Sequence, residues 1–536
     1  MATVACRRAV VRTLLGPPIA PIRAAAVKVP PASTGDPFVN KFSKPAVKPP
    51  PAKTRTENNS PTFATSGDPC LDFFFHVVPG TPAASVSSLL AKAWAAEPLT
   101  ALRLACNLRG VRGTGKADRE GFYAAALWMH EHHPATLALN AGPIADVGYL
   151  KDLPEILHRI VNDDRRLGRF HARKPRREMS PDEALELRRL RIVAAMRAVE
   201  RYHGDPRYRF LHDCTADLFA DMLAEDMRRL GDGKLPEISL AGKWCPSLKS
   251  RYDRSTLLCE AIARRLFPKG SAPELFEDLP DANYASRARA CLRKAALVPL
   301  RRALELPEHD AERFCQYLES VRAGKAKIAA GALLPHEILA SVGTDGEDVA
   351  DLQWQRTVDD LLALGKLNNC LAVCDVSGSM TGLPIDVCVA LGLLLSELCD
   401  EPWRHRVITF SERPQLHHAV FDQLLRVAVD GNVPPERMVK KVFVFSDMEF
   451  DEASSRPWET DYEVITRKYW EAGYGAAVPQ IVFWNLRDSR SVPVMAEQNG
   501  VALVSGFSKN MLKLFLDGAD AMTPRAVMEK AISGRE

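Results

Sequence analysis

The sequence has no C-x-x-C pair, no long apolar run and almost no net charge. Its 12 cysteines lie scattered, so the paired spacing of a structural zinc site is missing. Several fall inside apolar runs (Cys370, Cys374, Cys388), where a thiol behaves as a small hydrophobe. With no secretory signal, that usage points to a reducing, intracellular compartment, cytoplasmic or nuclear. No stretch reaches the roughly 20 apolar residues needed to cross a bilayer. The most apolar one, Pro384 to Leu398, carries Asp386 and Glu397 and reads as a buried helix, so no membrane is expected as a partner. A formal charge of +4 over 536 residues does not by itself imply nucleic-acid binding.

Catalytic signatures are equally scarce. There is no G-x-S-x-G elbow, and His130-Glu-His-His133 does not match H-E-x-x-H. The string Gly110-Val-Arg-Gly-Thr-Gly115-Lys116 fits G-x-x-x-x-G-K. A phosphate loop would need a hydroxyl residue next and a strand before it; Ala117 follows, and Leu102–Leu108 reads as helix. An inter-helix loop is the better account, and the expectation is a protein that is not an enzyme.

What is present divides the chain in three. Residues 1–66 are rich in Pro, Ala and Lys, a composition that cannot bury enough apolar surface to order itself, and are read as a disordered tail. Arg7, Arg8, Arg12 and Arg23 precede the first acidic residue, Asp36, as in an organelle transit peptide, but the segment is Pro-rich and poor in Ser. Residues 67–345 follow helical spacing. Ser180-Pro-Asp-Glu183 supplies an N-cap, a proline at the first helical position and a capping-box glutamate, and the helix should stop near Gly204-Asp-Pro206. An irregular solenoid-like array is the expected packing.

Residues 346–536 alternate short apolar runs with helical stretches. Strands are expected at Cys370–Asp375, Val407–Phe410, Val442–Phe445, Ile481–Trp484 and Val501–Val504. Helical segments are expected at Ile385–Leu398, Phe421–Val429, Asp461–Ala472 and Lys509–Phe515. Fully apolar strands alternating with helices argue for a mostly parallel, doubly wound sheet. The fold class is therefore multidomain, α followed by α/β.

In such sheets ligands bind beyond the carboxyl ends of the strands. Asp375 ends the first strand and Asp447 follows the third. The run Asp375-Val-Ser377-Gly-Ser379 offers one carboxylate and two hydroxyls at alternate positions on a short loop. Hard oxygen donors of this kind suit Mg²⁺, with Ser377 and Ser379 binding directly and Asp375 and Asp447 through water. An open coordination position would accept an Asp or Glu from a protein partner. A second candidate is the basic run Arg165, Arg166, Arg169, Arg173, Lys174, Arg176 and Arg177, which could neutralise RNA phosphates while Phe170 and His171 stack on bases.

The D-x-S-x-S loop with its later Asp resembles the metal-ion-dependent adhesion site of von Willebrand A domains. Helical segments before it, with Leu108-Arg-Gly-Val-Arg-Gly-Thr-Gly-Lys-Ala-Asp-Arg-Glu-Gly-Phe-Tyr123 and Gly148-Tyr-Leu-Lys-Asp-Leu153, resemble the TROVE architecture of the Ro ribonucleoprotein autoantigen. Ala241-Gly-Lys-Trp-Cys-Pro246, Phe443-Val-Phe-Ser-Asp-Met-Glu-Phe-Asp451, Gln480-Ile-Val-Phe-Trp-Asn-Leu-Arg487 and Ser505-Gly-Phe-Ser-Lys-Asn510 are similar to an uncharacterised plant family of TROVE-like proteins. The resemblance implies a non-enzymatic scaffold or adaptor that grips a protein partner through Mg²⁺. It also implies an alternative, an RNA-binding protein of the Ro type, in which a ring of helical repeats holds structured or single-stranded RNA. Two departures stand out: Glu308 runs straight into His309, and His418 into Ala419, where the family has further blocks. The second gap removes the loop that carries the third metal ligand, a Thr, leaving Glu412, His417 or His418 as substitutes.

Overall fold

The computed structural model describes residues 53–111, 113–162, 180–271, 276, 279–304, 311–328, 330–331, 333–343, 347–411, 416–450, 459–516 and 522–533. The basic run 165–177 and Glu412 lie outside them, as do the side chains of His417 and His418.

The helical half begins with Pro69–His76, capped by Asp68, whose carboxylate accepts from the amides of Cys70 and Leu71. Helices Ala83–Ala96, Pro98–Arg109 and Arg119–His132 follow. Pro181–Gly204 carries both arms of the expected capping box, with Ser180 and Glu183 each accepting from the other's amide. Such a cap contributes about 1 kcal/mol. The packing departs from a solenoid, in which each pair would touch only its neighbours. Pro206–Gly231 instead acts as a hub, contacting helices from Pro134–Leu139 through Leu258–Leu266 to Val298–Ala303. Its 26 residues bury a stripe that includes Tyr208, Leu211, Phe219 and Leu223, long enough to serve several neighbours at once.

The second half is a five-stranded parallel sheet. The strands are β3 (Cys370–Asp375), β4 (Val407–Phe410), β5 (Lys441–Ser446), β6 (Gln480–Asn485) and β7 (Val501–Ser505), in the order β4-β3-β5-β6-β7. Strands β3 and β7 are buried throughout, as expected of a sheet covered on both faces. Helices Leu383–Leu398, Leu416–Asp430 and Asp461–Glu471 make the first three crossovers. Chain order reverses at β3, which has β4 on one side and β5 on the other.

The connection from β6 to β7 contains no helix. Cover for that end of the sheet comes from elsewhere: Pro69–His76 and Pro524–Ser533 both pack on β7. The two halves consequently share one continuous hydrophobic core, from Phe63 to Ala531. Residues 53–66, assigned by composition to a disordered tail, are ordered. Strands β1 (Lys53–Arg55) and β2 (Pro61–Phe63) form an antiparallel hairpin that joins the α/β half through a bridge from Phe63 to Val492. Docking buries Ser60, Thr62 and Phe63 and supplies the cover that the segment's own composition lacks. No helix among the described residues is long and apolar enough to cross a membrane.

Candidate metal centre at the strand ends

Four of the five strand ends carry polar residues, but two are closed off. Beyond β6 and β7, Asn485 and Ser505 are fully buried beneath the end of Pro69–His76. Asn485 donates to the Phe75 carbonyl at 3.2 Å, and Ser505 to that of Phe74 at 2.8 Å. Lys116 fills the same corner: its Nζ donates to the carbonyls of Phe74 and Val77 and to Ser505 Oγ, the last two at 2.7 and 2.8 Å. The Gly-rich string before it is a packing device. A Cβ on Gly115 would lie 2.1 Å from the Gly110 carbonyl oxygen, so two stretches of backbone cross where only glycine fits. With its Nζ satisfied internally, Lys116 presents no ammonium to a phosphate.

The ends of β3 and β5 carry the predicted donors. Asp375 and Asp447 are both buried, Ser377 is half-buried and Ser379 exposed. The Ser446 hydroxyl donates to Asp375 Oδ2 at 2.7 Å, and the Ser377 amide to Oδ1 at 3.0 Å. Ser377 Oγ and Ser379 Oγ lie 3.0 Å apart. Burial pushes the Asp375 carboxyl above the usual carboxylate range and the charge of Asp447 adds to this, while the hydrogen bonds from Ser377 and Ser446 oppose it. The geometry therefore brings together all four residues read from the sequence.

The loop carrying Asp447 is tightly held. Met448 adopts a left-handed φ of 65°, uncommon for a non-glycine residue, and its amide donates to Ser446 Oγ at 3.2 Å. Asp447 Oδ1 accepts from the Glu449 amide at 3.1 Å. From outside, the hairpin tip clamps this loop: Thr56 Oγ1 donates to the Phe450 carbonyl at 2.7 Å, the Glu57 amide to Glu449 Oε2 at 2.8 Å, and Asn58 Nδ2 to the Glu449 carbonyl at 2.6 Å.

Sequence reading missed three features. The hairpin clamp is one; its signal was the Asn58-Asn59 turn, where Asn59 takes the left-handed φ of 71°. Arg487 is another. It follows β6 and donates from Nη1 to the Ser379 carbonyl at 2.5 Å, bringing a cation against the loop. Third, Ser411 follows Phe410, whose carbonyl accepts from the Val376 amide at 2.8 Å, so an exposed hydroxyl residue stands beside the Asp375–Ser379 loop where the Thr is absent.

Two carboxylates, one of them crowded by the other's charge, with two adjacent hydroxyls, form a donor set suited to a small hard cation. Among the described residues no group of three or more His, Cys, Asp or Glu side chains forms a metal cluster. Any ion here would thus keep waters or borrow a ligand. The histidines of 130–133 do not converge: His133 stacks on Trp94 at 4.3 Å, His132 bonds the Trp128 carbonyl at 2.9 Å, and His130 lies 3.8 Å from Asp205.

These features define a protein in which a helical array shares one core with a parallel α/β unit that holds an oxygen-rich site at its strand switch. The chain belongs to the family described as Domain of unknown function (DUF2828), matched over residues 56–189, 168–310 and 308–367. Residues 369–420 and 417–535 match a second family, Domain of unknown function (DUF7788). Breaks in the two matches at 308–310 and 417–420 fall on the Glu308–His309 and His418–Ala419 junctions. The chain is also similar to an uncharacterised protein of Acanthamoeba polyphaga mimivirus, 26% identical over 88% of this chain and 86% of that protein.

Proposed function

We propose that the protein is a non-enzymatic adaptor whose α/β half, a von Willebrand A-like domain, binds an acidic side chain of a protein partner through Mg²⁺ held by Asp375, Ser377, Ser379 and Asp447. The observation that carries this reading is the pairing of two buried carboxylates at neighbouring strand ends. The ion would supply Lewis acidity toward the partner's carboxylate. The chain's own part is to fix the donors: Ser446 orients Asp375, and the hairpin clamp holds the loop of Asp447. Pull-down of partners with the full chain tests the reading. Captured proteins should be released by EDTA and absent with Asp375→Ala, and capture indifferent to both would refute it.

A second reading, RNA binding by the TROVE-like helical half, is favoured by charge. The basic run 165–177 leads into Pro181–Gly204, on which Arg188, Arg189 and Arg197 are exposed. Neutralising Arg173, Lys174, Arg176 and Arg177 should weaken RNA binding and flatten its salt dependence by roughly one unit of log–log slope per lost phosphate contact. Unchanged affinity would discard it.

A further inference from the structure

Helix Pro181–Gly204 packs with one side against Asp152–Asn162, Pro206–Gly231 and Arg251–Thr256. Ala198 is buried there, with Leu187, Ala194, Ala195 and Tyr202 half-buried around it. Six large apolar residues of the same helix are nevertheless exposed, and no other helix among the described residues exposes more than three. Four of them, Leu185, Ile192, Met196 and Val199, stand between 44% and 57% exposed. Their spacing of seven, four and three residues stacks them on one face, about a third of a turn from the packed side. Apolar residues scattered singly over a surface need no account, but a continuous stripe of them does.

The symmetry of this face points to what covers it. Leu185 and Val199 lie seven residues on either side of Ile192, so the stripe reads the same from both ends. Glu186 and Arg197 are centred on almost the same point, and their separation of eleven residues, about three turns, puts them on one flank. Arg197 is exposed and makes no ion pair among the described residues. Glu186 lies 3.9 Å from Arg189, with both side chains mostly exposed, so that pair holds it weakly. Two copies of the helix running antiparallel about a two-fold axis at Ile192 set Leu185 against Val199 and Ile192 against Ile192. Glu186 then stands between Arg189 of its own helix and Arg197 of the second copy, once on each side of the axis. The acidic Asp182 and Glu200 fall at the open ends of the pair, where water and salt screen them.

We propose that this face binds a second copy of the chain, with helix Pro181–Gly204 packed antiparallel on itself about Ile192. An isologous contact of this kind needs one patch that is complementary to itself, and the stripe with its Glu186–Arg197 flank is such a patch. A nucleic acid fits the face less well, because Ile192 and Met196 at its centre offer phosphates no partner. From Leu185 to Val199 the stripe is about 21 Å long at 1.5 Å per residue. That is short for a standard interface, so the dimer is reversible, with a Kd on the order of 10 μM. The inference rests on neither the Mg²⁺ nor the RNA reading.

Sedimentation velocity of the full chain tests it. Between about 1 and 100 μM the average mass should rise from monomer toward dimer. Ile192→Glu should hold the chain monomeric over that range, because the two-fold axis sets the new carboxylates against each other. Ile192 is 54% exposed, so the fold does not depend on it. Glu186→Arg and Arg197→Glu should each weaken the dimer about threefold, and both together in one chain should restore it. Crosslinking with a short bismaleimide reads the geometry against the wild-type background. Ile192→Cys should link to itself, whereas Leu185→Cys should link to Val199→Cys and not to itself. A monomer at every concentration would overturn the proposal, whatever protein or RNA then bound the face. So would a dimer that survives Ile192→Glu, charge reversals that fail to compensate, or Leu185→Cys linking to its own kind as in a parallel pair.

Discussion

Lys116 Nζ donates to Ser505 Oγ at 2.8 Å across 389 positions of sequence, and the same ammonium holds the carbonyls of Phe74 and Val77. One lysine thus ties an inter-helix loop, the end of the first helix and the last strand of the sheet into a single corner. Replacing it with Met would leave buried carbonyls unpaired, and such losses cost about 1–3 kcal/mol per group. Lys116→Met should therefore lower the unfolding free energy by roughly 2–5 kcal/mol in urea titrations.

The same residue gives stability a pH dependence with a definite sign. Burial pushes the Lys116 ammonium down to about 7 from its ordinary 10.5. Between those values the unfolded chain binds a proton that the native chain does not, so this group makes stability rise with pH, by up to about 1.4 kcal/mol per unit. Comparing urea midpoints at pH 7, 8 and 9 isolates it: the wild-type rise should be steeper than that of Lys116→Met. Equal slopes would contradict the assignment.

A shared core predicts that the halves do not separate. A truncated chain of residues 346–536 would lose Pro69–His76 from β7 and β2 from Val492, exposing buried Val501, Leu503 and Val492. It should aggregate or lack a cooperative transition by circular dichroism, whereas residues 53–536 should unfold cooperatively. An independently folding fragment would show that the contacts between halves are dispensable.

The strands were legible because each is a short run of apolar residues bounded by turns. The runs at Cys370–Asp375 and Val407–Phe410 match the observed strands end to end, and β5 and β6 extend theirs by a residue at each side. Asp375 and Asp447 were placed by the rule that ligands sit at carboxyl ends. The hairpin was not legible, because Lys53, Thr54 and Arg55 have no apolar pattern and are stabilised by what they dock on. Lys116 was read as a loop residue for a similar reason: a buried lysine announces itself only through partners hundreds of positions away. Arg487 belongs to no motif, and only folding brings it to Ser379.

That hairpin should matter to the site. Thr56→Ala with Asn58→Ala removes two of the three bonds that clamp the Asp447 loop, at 2.7 and 2.6 Å. Hydrogen exchange at Met448–Phe450 should speed up by roughly tenfold, the equivalent of about 1.4 kcal/mol of local stability, with little change elsewhere. Protection left intact would mean the clamp is incidental.

Arg487 should act in the opposite direction on the ion. Its guanidinium lies against the Ser379 carbonyl, so it repels a cation bound by that loop. Arg487→Ala should raise Mg²⁺ affinity about three- to tenfold, more at low salt than at high. A loss of affinity would instead make Arg487 a support of the loop.

The most direct test is Mg²⁺ itself, titrated against the full chain while its melting temperature is followed. Wild type should gain a few degrees at about 10 mM Mg²⁺, as expected for a ligand that binds only the native state. Asp375→Ala should gain nothing, because one of the two carboxylates that would hold the ion is gone. An equal rise in both proteins, or none in wild type, would contradict a metal centre at the ends of β3 and β5.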